Sequence, residues 1–271
     1  MPATDNGAPR TTGGHDRATR DQPLVRARAI QKWFGHVHAL DDVSLDIHEG
    51  ETVGLVGDNG AGKSTLIKIL SGVYQPSAGE IRVRGERVTI ANPNAARRLG
   101  IETVYQDLAL IDRFTIAENF FLGREMVSKG LSWPIGFLRK RAMREAAHAA
   151  LDNLHVHVSR ARGLTVSRMS GGQRQAIALA RGAFWGRSLL LLDEPTAALG
   201  VAESREVLGL IERMTAHGLA MVVVTHNLEH LWTICSRIVV LRRGRKVADV
   251  LKSETTPHEV VSLITGASAH Q

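Results

Sequence analysis

The sequence predicts an α/β fold with an inserted helical part. Three observations carry this expectation. Leu189–Leu192 and Met221–Val224 are unbroken apolar runs, as expected of strands buried on both faces of a parallel sheet. Between them, Glu203–Ala216 carries Val207, Leu208, Leu210, Ile211 and Met214 on one helical stripe, with Gly218 just beyond. That combination is a strand–helix–strand crossover. From about Asp107 to Trp185 the strand pattern fades, and Arg141–Leu154 and Gln173–Phe184 have the Ala-rich composition of helices.

The remaining elements follow in chain order. Residues 1–22 are polar, without hydrophobic period, and are expected to form a disordered tail. Val43–Ile47 and Thr52–Val56 read as strands on either side of Glu49-Gly50, and Ile81–Val88 as a strand pair around Gly85-Glu86. Leu122–Phe137 reads as an exposed connection. The expected division is an α/β core of 23–106 and 186–271 around a helical subdomain of 107–185.

Composition narrows the setting. The chain has 271 residues and is 44% hydrophobic, enough for a substantial core. Its single cysteine, Cys235, excludes an internal disulfide and fits a reducing compartment. No apolar run approaches the ~18–20 residues of a membrane span, and no secretory signal core is present. The net charge is +7, from 34 basic and 27 acidic residues. The basic residues are scattered, with clusters at 139–141 and 242–246. The second cluster reads as a solvated hairpin turn between Ile238–Leu241 and Val247–Val250. His36, His38, His155 and His157 have no nearby cysteine or carboxylate cluster and are read as ordinary histidines, not metal ligands.

The chemistry concentrates in three places. Gly57-Asp58-Asn59-Gly60-Ala61-Gly62-Lys63-Ser64 matches G-x-x-x-x-G-K-[ST] at every fixed position, between a predicted strand and a predicted helix. Such a turn aims backbone N–H groups at phosphates, Lys63 adds a point charge, and the Ser64 hydroxyl can ligate Mg²⁺. Asp193 and Glu194 end the apolar run at Leu189–Leu192. Asp193 suits Mg²⁺, and Glu194 suits polarising a water for attack on a phosphate. Ser170-Gly171-Gly172-Gln173 has capping-box spacing and opens a helix, which makes a second anion-attracting helix start.

Ser170-Gly171-Gly172-Gln173 followed by Arg174-Gln175, upstream of Asp193-Glu194-Pro195-Thr196, resembles the signature of ATP-binding-cassette ATPases. The resemblance runs from about residue 24 to the end. It implies a P-loop NTPase fold with a RecA-like core, an antiparallel β subdomain and an inserted α-helical subdomain. ATP and Mg²⁺ are the implied cofactors. Gly57 through Ser64, together with Thr65, would hold the phosphates. Ser64, Gln106 and Asp193 would serve the metal. Glu194, His226 and Gln106 would act in catalysis, Gln106 also coupling to a membrane partner. Within Lys32-Trp33-Phe34-Gly35, Phe34 is taken as the adenine platform and Trp33 is expected in the core. Ser170, Gly171, Gly172 and Gln173 would complete the site of a second, head-to-tail copy. Where the family commonly has an aspartate, this chain has Gly200, which removes a carboxylate from a loop between subunits.

Longer strings resemble one branch, the ATP-binding subunits of bacterial monosaccharide importers. They are Gly100–Ala109, Asn119–Glu125, Thr196–Val201 and Leu263–Ala267. That branch implies a membrane permease, a periplasmic or lipid-anchored sugar-binding protein acting through it, and a peripheral position on the cytoplasmic face of the membrane. Two alternatives remain at this point. One is an importer ATPase for another solute, such as branched-chain amino acids. The other is a soluble nucleic-acid-associated relative. The single short cassette without a coiled-coil insert argues against the latter, and no nucleic-acid partner is expected.

Overall fold

The computed structural model describes residues 22–128, 136–159, 161 and 163–267. The expected tail lies outside the described residues, except for Gln22, which sits against Gly85. Two main sheets organise the rest. The first joins β1 (Val25–Phe34), β2 (Val37–Ile47), β4 (Ala78–Val83) and β5 (Glu86–Val88) in the order β2-β1-β4-β5, all antiparallel. The second has six strands in the order β12-β11-β3-β10-β9-β6. Its members are β3 (Thr52–Val56), β6 (Ile101–Val104), β9 (Leu189–Asp193), β10 (Ala220–Val224), β11 (Arg237–Arg242) and β12 (Arg245–Leu251). Only the β11–β12 pair is antiparallel.

The apolar runs form the centre of that sheet because every residue has a buried face to occupy. Leu190 and Leu192 of β9 join one hydrophobic cluster, while Leu189 and Leu191 join the other. Met221 and Val223 of β10 divide from Ala220, Val222 and Val224 in the same way. One face is covered by α5 (Gly171–Trp185), α6 (Val201–Ala216), α7 (Leu228–Ile234) and α8 (Pro257–Thr265). The other carries α1 (Lys63–Leu70), α2 (Pro93–Arg98) and the antiparallel sheet. Arg237 clamps the two sheets. It donates to Glu51 at 2.8 Å, to Asp249 at 2.8 Å and to the carbonyl of Asp46.

The middle of the chain supplies α3 (Ile116–Phe121) and α4 (Lys140–Asn153), which pack on each other, and α4 packs on α5. Capping boxes start α3 at Thr115–Glu118, α5 at Ser170–Gln173 and α8 at Thr256–Glu259. The backbone N–H of Thr115 holds Glu118, and that of Thr256 holds Glu259, below the ordinary carboxylate range. Both contributions to stability are therefore present above the unfolded-state value and fade as pH falls toward the depressed one. Among the described residues no helix is long and apolar enough to cross a membrane.

Three local expectations are corrected. The connection expected over Leu122–Phe137 contains paired strand: β7 (Val127–Ser128) meets β8 (Phe137–Leu138), with 129–135 outside the described residues. Two residues per strand are too few to show an alternating pattern. The β4–β5 turn is Arg84-Gly85, with Glu86 already paired to Val83. Trp33 is 41% exposed and stacks on His38 at 4.7 Å instead of entering the core.

Cys235 caps the end of α7 and is 2% exposed, and burial pushes its thiol up to about 12. A soluble thiol reagent at pH 8 is expected to leave Cys235 unmodified in the folded protein and to label it fully in guanidinium. Rapid labelling without denaturant would contradict this packing.

Candidate active site

Four neighbouring strands, β3, β10, β9 and β6, run parallel, so their carboxyl ends lie side by side. β3 leads into Gly57, β10 into Thr225 and His226, β9 ends on Asp193 before Glu194, and β6 leads toward Gln106. The chain thus assembles four segments, far apart in sequence, along one edge. Loops outside the carboxyl ends of such strands are the usual place for a ligand.

The phosphate-type loop is shaped by two glycines. Gly57 has φ +147°, and a Cβ there would stand 2.1 Å from the Leu241 carbonyl oxygen. Gly62 has φ +104°, and a Cβ there would meet Leu40 at 2.7 Å and the Ala39 carbonyl at 2.8 Å. Side chains are excluded at both by backbone approach as well as by conformation. The hairpin turn expected at 242–246 forms with Arg243 and Arg245 exposed, and its backbone also helps hold the loop. Gly244 N–H donates to the Ala61 carbonyl at 3.1 Å, and Asp41 N–H donates to the Gly244 carbonyl at 2.8 Å. Arg245 then pairs with Asp41 at 2.6 Å.

That bracing leaves Asp58, Asn59 and Gly60 exposed, with Ser64 exposed and Thr65 half-buried at the start of α1. Lys63 donates to the carbonyls of Gly57 at 2.6 Å and Asp58 at 2.9 Å. Burial lowers its pKa, opposed by the charges of Glu194, Asp58 and Asp193. Burial raises Asp193, with Glu194 adding to the rise and Lys68 and Lys63 opposing it. The lysine and the two carboxyl groups therefore share one electrostatic environment.

Glu194 is set by its backbone. Its φ is +52°, a left-handed conformation rare for a non-glycine residue, and such strain clusters at functional sites. Its N–H donates to the Val224 carbonyl at 2.8 Å, tying it to the end of β10. The carboxylate receives Thr225 Oγ1 at 3.2 Å and the His226 backbone N–H at 3.1 Å, and lies 2.9 Å from His226 Nδ1. The His226 side chain is 83% exposed and that of Glu194 only 18%. Thr225 is a contact that motif reading missed; it sits in the apparent spacer between β10 and His226.

Gln106 is exposed on the adjacent loop. That loop is anchored by two residues not singled out from sequence for any site role. Buried Asn119 accepts the Ile111 N–H at 2.8 Å and donates to the Ile111 and Thr115 carbonyls at 3.1 Å. Arg181 of α5 donates to the carbonyls of Leu108 at 2.8 Å and Ala109 at 2.9 Å. Phe34 is 41% exposed at the end of β1 and meets Tyr74 edge-on at 5.1 Å, with Lys32 Nζ 5.1 Å above its ring. Tyr74 was also missed, because it follows α1 without a motif.

Ser170, Gly171, Gly172 and Gln173 open α5 as expected. Ser170 Oγ accepts the Gln173 N–H at 3.2 Å, and the Gln173 side chain accepts the Ser170 N–H at 3.1 Å. Gly172 N–H donates to Glu203 at 3.3 Å. Among the described residues no hydrogen bond or ion pair joins Ser170–Gln173 to Gly57–Thr65. The structure brings Lys63, Asp193, Glu194 and His226 together and leaves the second helix start separate.

The ABC transporter family profile matches residues 40–197. The chain is 44% identical to the xylose/arabinose import ATP-binding protein of Sulfolobus acidocaldarius, over 89% of this chain and 94% of the relative. It is 42% identical to the fructose import ATP-binding protein of Rhizobium meliloti, over 91% and 95%. A ribose import ATP-binding protein of Rubrobacter xylanophilus matches at 39% identity over 90% of this chain, which spans 48% of that relative. Among solved structures, a nucleotide-free ATP-binding cassette from an ABC transporter superposes with a TM-score of 0.76 at 22% identity, covering 89% of this chain and 98% of that one. A dimeric cassette in a post-hydrolysis state with ADP and phosphate superposes with a TM-score of 0.68 at 25% identity, over 84% and 99%. With the phosphate-type loop, the paired acids and the histidine on one sheet edge, these likenesses place the chain in the ABC transporter family.

Proposed function

We propose that this chain is the ATP-binding and ATP-hydrolysing subunit of an importer for monosaccharides. The observation that carries the reading is the convergence of the glycine loop, Lys63, Asp193, Glu194 and His226 on one edge of a parallel sheet. The sugar cargo is supported by the likeness to the xylose/arabinose and fructose import proteins, each matched over nearly its whole length.

In this reading Gly57–Thr65 bind the triphosphate, the exposed loop amides and Lys63 facing its oxygens. Lys63 exchanges its two carbonyl partners for phosphate oxygens. Phe34 carries the adenine, with Tyr74 supporting the ring from its edge. Ser64, Gln106 and Asp193 offer a hydroxyl, an amide oxygen and a carboxylate, a hard-oxygen set that fits Mg²⁺. Mg²⁺, when bound, neutralises charge on the β- and γ-phosphates. Glu194 orients a water for in-line attack on the γ-phosphorus and accepts its proton, while His226 fixes the carboxylate and meets the phosphate. The products are ADP and inorganic phosphate.

A second copy docks head to tail and supplies Ser170–Gln173. Support comes from the separation of that helix start from the glycine loop within one chain, and from the dimeric solved cassette. A permease is the membrane partner, with a sugar-binding protein acting through it, and the chain sits on the cytoplasmic face. The groove between α5 and β6, lined by Tyr105, Leu122, Arg124 and Trp185, adjoins the Gln106 loop and suits permease contact. The division into 23–106 with 186–271 and a helical unit of 107–185 belongs to the same proposal. It is supported by the six-stranded sheet drawing all its strands from the first two segments.

Lys63→Ala is expected to weaken ATP binding by about 10- to 100-fold, the worth of a charge-assisted phosphate contact, as read by nucleotide titration. Glu194→Gln should bind ATP within a few-fold of the parent yet lose at least about 100-fold in turnover; rapid hydrolysis by this variant would remove Glu194 as base. Phe34→Ala should weaken ATP and GTP equally, by about 5- to 100-fold, since stacking tolerates any purine. Cargo class is read from ATPase activity in vesicles with the permease. Stimulation by a sugar-loaded binding protein supports the proposal, and stimulation only by an amino-acid-loaded one refutes it.

A further inference from the structure

Glu203, the third residue of α6, belongs to no motif of the nucleotide site, yet its carboxylate is shared between two helix starts. Oε2 accepts the Gly200 N–H at 3.3 Å, at the start of α6. Oε1 accepts the Gly172 N–H at 3.3 Å, at the start of α5. The fit is close: a Cβ on Gly172 would stand 3.0 Å from Glu203 Cβ and 3.1 Å from its Cγ. The N–H groups of Gly172 and Gly200, with Ser170 adding to them, hold the carboxyl below its ordinary range, so it is an anion at neutral pH. A resident negative charge therefore already occupies the buried Gly172 amide of α5, beside the Ser170 hydroxyl.

One N–H cannot serve two anions at full strength, and like charges brought to the same helix start repel. We infer that Glu203 competes with the terminal phosphate of ATP for the Gly172 N–H, and so sets the ATP concentration at which two copies close on one another. The inference rests on the head-to-tail dimer proposed above. In closing, the carboxylate releases the Gly172 amide while keeping Gly200. Once the terminal phosphate has left, the carboxylate recaptures that amide, which favours reopening. Gly200 fits this arrangement. Its bare backbone, in place of the acid common in the family, adds no second negative side chain at the shared carboxylate.

The test uses Glu194→Gln as parent, so that ATP persists, and reads dimer formation by light scattering across an ATP titration with Mg²⁺. Glu203→Gln keeps an oxygen acceptor for the Gly200 N–H, because glutamine serves that position as glutamate does, but turns an amide NH₂ toward Gly172. The half-maximal ATP concentration is expected to fall about three- to tenfold. Glu203→Ala, which frees both amides, should shift it the same way. An unchanged or higher ATP requirement in either folded variant overturns the inference while leaving the dimer reading intact. Failure of the parent itself to dimerise overturns the dimer reading and this inference with it. Failure of both variants to fold makes Glu203 a stability element and also overturns it.

Discussion

The parallel pairing of β3, β10, β9 and β6 is the constraint on which the rest of this molecule depends. Parallel strands present all their carboxyl ends on the same edge, and each end here opens into a chemically equipped segment. Register matters as much as direction. Val224 lies opposite Asp193, so the step beyond the strands puts Thr225 and His226 against Glu194. A slip of one residue would turn the leucines of β9 to opposite clusters and carry the carboxylates away from the lysine. Burial of both sheet faces is what makes such a slip costly.

A second layer of support comes from strands that carry none of the phosphate-site residues. The glycine loop is wedged between Ala39-Leu40 of β2 and the end of β11, and the Arg243-Gly244 turn bonds to Ala61 and receives Asp41. Its amides are thus aimed before any nucleotide arrives. A preorganised loop avoids the cost of ordering flexible backbone on binding. The strain at Glu194 has the same character: a left-handed residue persists because its N–H is tied to β10 and its carboxylate to the next segment.

The helical middle of the chain connects to this edge through α5. Its first turn presents Ser170–Gln173, its centre packs under β6, and Arg181 holds the Gln106 loop by two carbonyls. One helix therefore links the Gln106 loop to the Ser170–Gln173 helix start. Glu203 adds a further link, from α5 to the Gly200 loop.

Much of this was legible in the residues themselves. Leu189–Leu192 and Met221–Val224 declared the parallel core because only strands buried on both faces tolerate unbroken apolar runs. Gly57–Ser64 and Ser170–Gln173 declared their turns because glycine placement and cap spacing act within a few residues. Glu194 and His226 are in contact, and Lys63 and Asp193 act on Glu194 through their charges. What local pattern could not reveal were contacts made across the fold. Thr225 and Tyr74 carry no motif, the clamp of Arg181 joins residues 72 and 73 apart, and the bond from the 242–246 turn to Ala61 shows in no local pattern. Trp33 was misplaced because hydrophobicity predicts burial, while a partner ring, His38, offered it cover on the surface. Sequence alone determined which segments fold as strand, helix and anion-binding turn, since those choices rest on periodicity, capping and backbone freedom. Tertiary structure alone decided which groups face one another, since strand order and register are properties of the packed whole.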